Sequence, residues 1–425
     1  MYDYQEVLAL LNRSNRFHHE LERSFEKMQD QDSAPSDSSK KILEFLREHF
    51  TKHNLNPMIV ETDPEGKVTY VNEHFAEAAK YEKDEMLGQN VNILKSSHMH
   101  QGIYTDIWNH LSEGRPWRGQ LRNTCKDYDS YWIETVICPV FDEEGNILKY
   151  WSLSYDITEN IKVQQELEFQ NKELTDSLRY AKRIQKTILP DKKSMDKDLK
   201  EYFTIYKPKD IVSGDFYWFA STIDKVFVAA VDCTGHGVPG AFMSLIGHNL
   251  LNQIVIQRHI HTPGLILTEL HKGVRHALRQ DEQDSRSRDG MDLSLIAIDR
   301  YDARVQFAGA YNPLYWFHKD ELKVIKGDKM AIGGEQMEDE RVFTNHEIEV
   351  EDKDCLYLFS DGFVDQFGGP EMKKFGSKRL KQLVRENHHE KMSVQRALFN
   401  LVWKDWIGDD EQIDDVTLIG VRIHL

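Results

Sequence analysis

Four aspartates in the C-terminal half of the chain lie at the ends of apolar, strand-like runs, each within a short, turn-rich segment. They are Asp215, Asp232, Asp361 and Asp414. Carboxylates gathered at one place repel one another unless a cation lies between them. Oxygen ligands without Cys and His residues at zinc spacing favour Mg²⁺ or Mn²⁺, and two such ions roughly 4 Å apart can hold a hydroxide and direct it at phosphorus. The set therefore predicts a metal-dependent phosphatase.

Buried strands are expected to position these aspartates. Val226–Val231 is a nearly continuous apolar run, which predicts a buried strand that delivers Asp232 at its end. The glycines at 235, 237 and 240 then allow a tight backbone path before a predicted helix at Ala241–Ile256. The alternative for Asp232, a simple helix cap, is disfavoured by its three companions.

Two further strands are predicted beside the other aspartates. Cys355–Ser360 ends at Asp361, and Val416–Ile423 is directly preceded by Asp414 and Asp415. Both runs are apolar enough to be buried, so their ends are the places where a carboxylate can meet solvent and a ligand.

Six short motifs occur in order along the same half of the chain. They are Arg183–Pro190, Ser213–Tyr217, Val231–Phe242, Ala308–Pro313, Ser360–Gly362 and Asp414–Thr417. With these motifs, the segment from about Ile184 to Leu425 resembles the SpoIIE/RsbU branch of the PPM (protein phosphatase 2C-like) serine/threonine phosphatases. The resemblance implies an α/β/β/α sandwich and two bound Mn²⁺ or Mg²⁺ ions.

The resemblance also implies a role for each site residue. Asp232 would bridge both metal ions, and the backbone carbonyl of Cys233, where the family usually has glycine, would be a further ligand. Asp361 and Asp414 would be metal ligands, and Asp215 would act partly through water. No cysteine lies in a nucleophile signature, so we expect direct hydrolysis without a phosphoenzyme.

Three more residues near these motifs have open roles. Asp289 or Asp292 could hold a third metal ion, and a turn-capping role is an equal alternative. His236 lies next to the metal motif and could protonate the leaving seryl oxygen, because histidine transfers protons best near neutral pH. The alternative is a loop histidine bonded to backbone.

Composition limits the remaining possibilities. The net charge of −17 argues against a nucleic-acid partner or an anionic membrane surface, since either would repel the chain. No apolar run approaches the ~18 residues that a membrane-spanning helix needs, and the N-terminus does not resemble a signal peptide. The four cysteines are scattered without a C-x-x-C pair, which predicts reduced thiols in a cytoplasmic protein.

The whole chain is predicted to be an α+β protein of four parts. These are an N-terminal helical region at 1–50 (helices at 4–30 and 42–50), a sensor domain at 51–160, a helical linker at 161–190 and the phosphatase domain at 191–425. The second part has a predicted hairpin at Met58–Asn72 and later strands at Trp117–Asn123, Tyr131–Phe141 and Ile147–Asp156. With small helices between them, this antiparallel pattern resembles a PAS domain.

The ligand of the PAS-like domain stays open. Gly88–Val91 lacks the cysteine that flavin-photoadduct PAS domains need, whereas Trp108–Asn123 is similar to redox-type PAS domains that hold FAD. The alternative is that Trp108, Trp117 and Trp132 are ordinary core aromatics. Haem bound through His98 or His100 is a weaker possibility.

The linker has a seam whose members step by four and three residues. The seam consists of Leu167, Asn171, Leu174, Leu178, Ala181, Gln185 and Ile188. This spacing predicts a parallel coiled coil in a homodimer, with Asn171 fixing the register. The alternative is a single amphipathic helix packed on its own domain.

Together the motifs predict a sensor-regulated phosphoserine/phosphothreonine phosphatase. By resemblance, its substrate would be a phosphorylated STAS-type anti-sigma-factor antagonist in a bacterial partner switch. The competing hypothesis is a non-catalytic dimeric scaffold that binds phosphoprotein. A kinase or cyclase is disfavoured, because no glycine-rich nucleotide loop with a lysine occurs in a strand-to-helix context.

Overall fold

The computed structural model describes residues 58–425 except 143, 283–286, 337 and 339. The helices predicted at 4–30 and 42–50 lie outside the described residues. The chain divides into two compact units, one ending at Asn171 and one spanning Lys172–Leu425. No helix in the described part is both long and apolar enough to cross a bilayer.

The first unit is built on one five-stranded antiparallel sheet. Its strands are β1 (Met58–Thr62), β2 (Val68–Val71), β3 (Trp117–Thr124), β4 (Ser130–Phe141) and β5 (Ile147–Asp156). They are ordered β2-β1-β5-β4-β3. Between β2 and β3 lie α1 (Glu73–Ala79), α2 (Lys83–Met86), a 3₁₀ turn (Val91–Leu94) and α3 (Gln101–Ser112). The predicted PAS-like antiparallel sheet is confirmed.

Polar side chains set the turns of this sheet. The side chain of Asn72 accepts hydrogen bonds from Ile59 N and Phe75 N, both at 3.0 Å, so it ends β2 and caps α1. In the β4–β5 turn, Asp142 Oδ1 accepts from Asn146 N at 2.8 Å. An aspartate that bonds to backbone further along the turn is a typical reason for a chain reversal.

A 31-residue helix, α4 (Thr158–Ile188), follows the PAS-like sheet. Its first residue is held to that sheet, because Thr158 N donates to Asp156 Oδ1 and Thr158 Oγ1 accepts from Trp132 N, each at 2.8 Å. Along most of its length the side chains are exposed, including Leu167 at 57% and Leu174 at 60%. These leucines are exposed although they are apolar.

The second unit contains two larger sheets and a small hairpin. Its strands are β6 (Glu201–Lys207), β7 (Phe216–Ser221), β8 (Lys225–Cys233), β9 (Gly290–Asp299), β10 (Arg304–Ala310), β11 (Leu314–His318), β12 (Glu321–Ile325), β13 (Ile332–Gly333), β14 (His346–Glu349), β15 (Cys355–Phe359), β16 (Phe367–Gly368), β17 (Lys373–Lys374) and β18 (Val416–Arg422). One sheet has the order β14-β10-β9-β8-β7, with β13 on β9, and the other has the order β12-β11-β15-β18-β6.

Helices cover the outer faces of the two sheets. The helical segments of this unit are α5 (Lys192–Asp198), α6 (Gly237–Asn252), a π-helical turn (Gln253–Gln257), α7 (Pro263–Ala277), α8 (Gly362–Asp365), α9 (Gly376–Asn387) and α10 (Met392–Ile407). Of these, α5 is different, because its Met195 belongs to the core between the sheets. Residues of α6 and α7 share a core with the first sheet, and residues of α9 and α10 share one with the second. The predicted α/β/β/α sandwich is therefore confirmed.

Strand β8 illustrates how the sequence creates these layers. Val226, Val228 and Ala230 lie in the core between the two sheets, whereas the alternate residues at 227, 229 and 231 lie in the core beneath α6 and α7. Successive strand side chains point to opposite faces, so a strand covered on both faces must be apolar throughout. The nearly continuous apolar run that predicted β8 has this cause.

Candidate active site

A polar cavity of about 220 Å³ lies where β8 and β15 end and where β9 and β18 begin. Its lining includes the side chains of Asp232, Asp292, Asp361, Asp414 and His236. In an antiparallel pair, the end of one strand and the start of the next meet at the same edge. The pairings β8–β9 and β15–β18 thus bring together carboxylates that are far apart in sequence.

Asp232 lies at the centre of this acidic group. It is directly opposite Asp292 in the β8–β9 pairing, and its Oδ2 lies 3.4 Å from the backbone N of Asp361. The pKa of Asp232 is raised well above its ordinary value, mainly by burial and further by repulsion from Asp215, Asp361 and Asp414. The other three predicted carboxylate ligands therefore repel Asp232 electrostatically.

Asp215 is the most deeply buried of the four aspartates, with 2% of its surface exposed. Its Oδ2 has no hydrogen-bond partner among the described residues. Burial raises the pKa of Asp215 to about 8; the hydroxyl of Ser360 opposes this rise and the carboxylate of Asp415 adds to it. A buried carboxylate oxygen without a partner is costly unless a cation or ordered water satisfies it.

The two candidates for a third metal ion have different surroundings. Asp292 lines the cavity, and burial, with a contribution from Asp361, raises the pKa of Asp292 to about 7. Asp289 is not part of the cavity lining, and its Oδ2 accepts a hydrogen bond from Ser287 Oγ at 2.9 Å. Of the two, Asp292 is the one that lines the cavity, and Asp289 is bonded to a neighbouring side chain.

The donor set fits a hard divalent cation. Within the described ranges, no three His, Cys, Asp or Glu side chains form a ready-made metal cluster. The carboxylates nevertheless share one cavity, and the pKa of Asp361 is also raised, by burial and by repulsion from Asp414 and Asp365. Oxygen ligands separated in this way suit Mg²⁺ or Mn²⁺, which keep several waters when they bind proteins.

Cys233 can face an ion only through its backbone. Its side chain belongs to the core beneath α6 and α7, and burial raises the pKa of its thiol well above the ordinary value. A neutral thiol inside a hydrophobic core is a poor metal ligand. The residue still lines the cavity, so the predicted use of its carbonyl agrees with its position.

Asp415 holds a neighbouring loop in place. Its two carboxylate oxygens accept hydrogen bonds from the backbone N atoms of Lys209 and Gly214, each at 2.7 Å. A Cβ added at Gly214 would lie 2.4 Å from the carbonyl O of Gly235, so only glycine allows this approach. Asp215 is thereby delivered against the loop that follows Asp232.

His236 is bonded to side chains and not to backbone. Its Nδ1 lies 2.6 Å from Asp210 Oδ2, and its Nε2 lies 3.0 Å from Lys209 Nζ. The sequence analysis missed Lys209 and Asp210. Two features of the sequence could have pointed to them. Both residues lie a few positions before Asp215, and Lys209 is a cationic residue near otherwise acidic motifs.

The linker seam also differs from its prediction at one residue. Gln185 is buried inside the second unit, where its Nε2 donates to Ser213 O at 2.5 Å and to Ser244 Oγ at 3.0 Å. Its Oε1 accepts from Ser213 N at 3.1 Å. The exposed seam therefore does not extend to Gln185, which packs on its own domain.

The PAS-like unit has a cavity of about 110 Å³ between its sheet and the helices α1 and α3. Trp108 and Tyr150 line it with their rings 5.8 Å apart, and Asn123 and Thr135 add polar groups. Trp117 and Trp132 do not line it; Trp117 Nε1 donates to Asp106 Oδ2 at 2.7 Å.

His98 and His100 are both exposed and lie outside this lining. The Nδ1 of His100 accepts from Gly102 N at 3.1 Å, so this ring caps α3. Neither histidine is positioned to bind a haem in this cavity.

Comparisons with known proteins identify both units. The model of the family described as Stage II sporulation protein E (SpoIIE) matches residues 223–424, and a PAS domain model matches residues 55–159. The solved SiaA-PP2C domain of Pseudomonas aeruginosa is 32% identical with a TM-score of 0.55, covering 60% of this chain and 98% of that domain. The SpoIIE match begins at residue 223 and therefore does not include Asp215.

Two curated proteins are also similar. Phosphoserine phosphatase RsbU of Bacillus subtilis is 26% identical over 253 residues, which are 59% of this chain and 71% of RsbU. The nitrogen fixation regulatory protein of Klebsiella pneumoniae is 33% identical over 106 residues, or 25% of this chain, and the chain spans only 21% of that protein's length. The chain therefore belongs to the SpoIIE family of PP2C-like proteins, and a PAS domain precedes its PP2C-like domain.

Proposed function

We propose that the protein is a metal-dependent phosphatase that hydrolyses phosphoserine or phosphothreonine on a regulatory protein. The observation that carries the proposal is the single cavity in which Asp232, Asp292, Asp361 and Asp414 meet, with the unpartnered oxygen of Asp215 close by. Four neighbouring carboxylates repel one another and would also repel a phosphorylated protein, so a surface that only bound phosphoprotein would gain nothing from them. The similarity to a protein named as a phosphoserine phosphatase supports the reaction class.

The residues of the cavity have separable tasks. Asp232, Asp361, Asp414 and the carbonyl of Cys233 would hold two Mn²⁺ or Mg²⁺ ions, and Asp215 would act from its buried position. When bound, such ions would offset the charge of the phosphoryl oxygens and lower the pKa of water, so that hydroxide is available to attack phosphorus at neutral pH. Asp415 fixes the loop that carries Asp215, and the thiol of Cys233 takes no part because it is buried and neutral.

The substrate and setting follow from the family resemblance. We infer a phosphorylated STAS-type protein as substrate, in a bacterial partner switch within the cytoplasm. The four cysteines are all free and buried, as suits a reducing compartment. The non-catalytic scaffold is the competing function, and the acidic cavity disfavours it because phosphoprotein binding alone would not need it.

The first experiment compares the full chain with residues 172–425 on a phosphoserine-bearing STAS protein. We expect release of phosphate from both to need Mn²⁺ or Mg²⁺, and we expect their rates to differ because the PAS unit regulates the second unit. Phosphate is measured with a colorimetric assay before and after treatment with EDTA. Binding of the phosphoprotein without release in any metal would favour the scaffold.

Regulation would pass along α4. The exposed seam that includes Leu167, Asn171 and Leu174 supports a parallel dimer, because pairing would remove from water apolar side chains that are exposed in the described part of the chain. At the other end of α4, Gln185 holds both backbone groups of Ser213, two residues before Asp215. A shift of α4 would therefore move the loop that carries a predicted metal ligand.

Gln185→Leu should lower turnover by roughly tenfold and weaken the apparent affinity for Mn²⁺. The change leaves the buried N–H and C=O of Ser213 without their partner, which costs about 2 kcal/mol, and it loosens the loop that ends at Asp215. Steady-state rates at several Mn²⁺ concentrations and a thermal melt measure both effects. Gln170→Leu, on an exposed part of the same helix, is the matched control and should change neither value. Equal behaviour of the two variants would refute the coupling.

A ligand in the PAS cavity is a separate proposal. The cavity combines aromatic side chains with the polar groups of Asn123 and Thr135, so FAD or another ring-containing molecule is a candidate. The absorbance spectrum of the purified protein would decide between these ligands: a yellow protein would support a bound flavin, and a colourless one would exclude it.

A further inference from the structure

The cavity that would receive a phosphoryl group lacks a cationic side chain in its lining. The described residues that line it provide four carboxylates and one histidine, with no Lys or Arg. A phosphate monoester carries a charge of about −1.5 to −2 at neutral pH. Metal ions would offset part of the total charge, and a protein cation at the rim would favour a phosphorylated side chain further.

Two lysines are close enough to the acidic group to be considered. The ammonium of Lys374 is already paired with Asp365 Oδ2 at 2.7 Å. Lys209 has no carboxylate partner within the described part of the chain, and its Nζ lies 3.0 Å from Nε2 of His236, which lines the cavity. Lys209 is therefore the cation with free hydrogen-bonding capacity at the rim.

The contacts of His236 determine which ring nitrogen carries hydrogen. An ammonium group only donates, so Nε2 of His236 must accept from Lys209. Nδ1 then carries the hydrogen and donates to Asp210 Oδ2, 2.6 Å away. In this arrangement Nε2 of His236 accepts from Lys209 and has no hydrogen to give to a leaving group.

The backbone of Lys209 is fixed as well. Its N–H donates to Asp415 Oδ1 at 2.7 Å, and Asp415 directly follows the predicted metal ligand Asp414. Lys209 is thus held at its backbone by Asp415 and at its ammonium by His236, whose ring is in turn bonded to Asp210. Such fixing of a long, flexible side chain lowers the entropy lost when it binds a ligand.

We infer that Lys209 is the phosphate-binding cation of this site, and that Asp210 and His236 are positioning residues that hold its ammonium at the rim of the cavity. The inference rests on the proposed phosphatase function and names the group that recognises its substrate. It replaces the expectation that His236 protonates the leaving oxygen. The ligand class is a phosphate monoester dianion, and inorganic phosphate is the simplest probe of it.

The test is phosphate binding and turnover by the full chain with Lys209→Met, Lys209→Arg and Asp210→Asn. Lys209→Met should weaken binding of inorganic phosphate to the Mg²⁺-loaded protein by about 20-fold, measured by ³¹P NMR titration, and should raise KM for a phosphoserine peptide by a similar factor. Asp210→Asn should show a smaller loss in the same direction, and Lys209→Arg should retain most of the binding. Lys200→Met, an exposed lysine before β6, is the control.

The outcomes separate this inference from the proposed function. Phosphate affinity within twofold of wild type in Lys209→Met would overturn the inference, whether or not the protein turns over substrate. Absence of turnover in the wild type, with phosphate binding still dependent on Lys209, would overturn only the phosphatase. If His236→Asn slowed phosphoserine but spared p-nitrophenyl phosphate, whose leaving group needs no proton, His236 would be the acid and the positioning role would be wrong.

Discussion

Asp232→Asn should reduce metal-dependent release of phosphate from phosphoserine by about 10³-fold. Asparagine keeps the size of the side chain but removes the charge that acts together with Asp215, Asp361 and Asp414. A neutral amide at this central position would weaken metal binding by the acidic group. Steady-state rates with a phosphoserine peptide and calorimetric titration with Mn²⁺ measure the two losses.

The fold should survive this change, which makes the result interpretable. Burial and repulsion raise the pKa of Asp232 in the metal-free protein. A neutral side chain at this position therefore removes an unfavourable electrostatic interaction and adds none. Asp302→Asn, in the exposed turn between β9 and β10, is the matched control and should keep both activity and metal affinity. Wild-type-like turnover by Asp232→Asn would remove the basis of the proposed mechanism.

Local patterns were sufficient to predict most of the PAS-like sheet and the acidic ends of the strands. The predicted strands at 131–141 and 147–156 correspond to β4 (Ser130–Phe141) and β5 (Ile147–Asp156). They could be predicted because the alternation of apolar and polar residues and the turn-forming aspartate are both features of the local sequence. The aspartates after β15 and before β18 were found in the same way, since a buried apolar run marks where its polar end must meet solvent.

Residues whose role depends on distant contacts could not be predicted. Gln185 fits a coiled-coil spacing, yet its partners Ser213 and Ser244 are 28 and 59 residues away. Lys209 becomes meaningful only because His236, 27 residues later, turns Nε2 towards it. The predicted helix at Ala241–Ile256 begins at Gly237 instead, because the loop after Asp232 enters the helix directly. Periodicity reports which face of an element is apolar, not which polar side chain that face will meet.

Asp215→Asn should make the metal-free protein more stable at pH 8 while it abolishes activity. The folded state holds the pKa of Asp215 at about 8, whereas the unfolded chain has the ordinary value near 3.8. Between those values the unfolded chain has released a proton that the folded protein retains, so stability falls as pH rises from about 4 to 8. Asparagine cannot ionise, and we expect it to add on the order of 3 kcal/mol at pH 8, or roughly 5–10 °C in Tm.

Thermal melts at pH 5, 6.5 and 8 in EDTA test this prediction, with Asp302→Asn as the exposed control. The advantage of Asp215→Asn should grow with pH and should be smallest at pH 5, where part of the penalty already applies because the unfolded-state pKa of Asp215 lies near 3.8. Asp292, with its pKa of about 7, adds a smaller change of the same sign in both proteins. Saturating Mg²⁺ should reverse the order, because an ion that binds the carboxylates stabilises the wild type more than the variant. A variant that melts below the wild type at pH 8 in EDTA would mean that Asp215 is held by hydrogen bonds and not by a cation. Asp215 would then stabilise the fold itself. A carboxylate that serves to bind a metal ion should instead destabilise the metal-free protein.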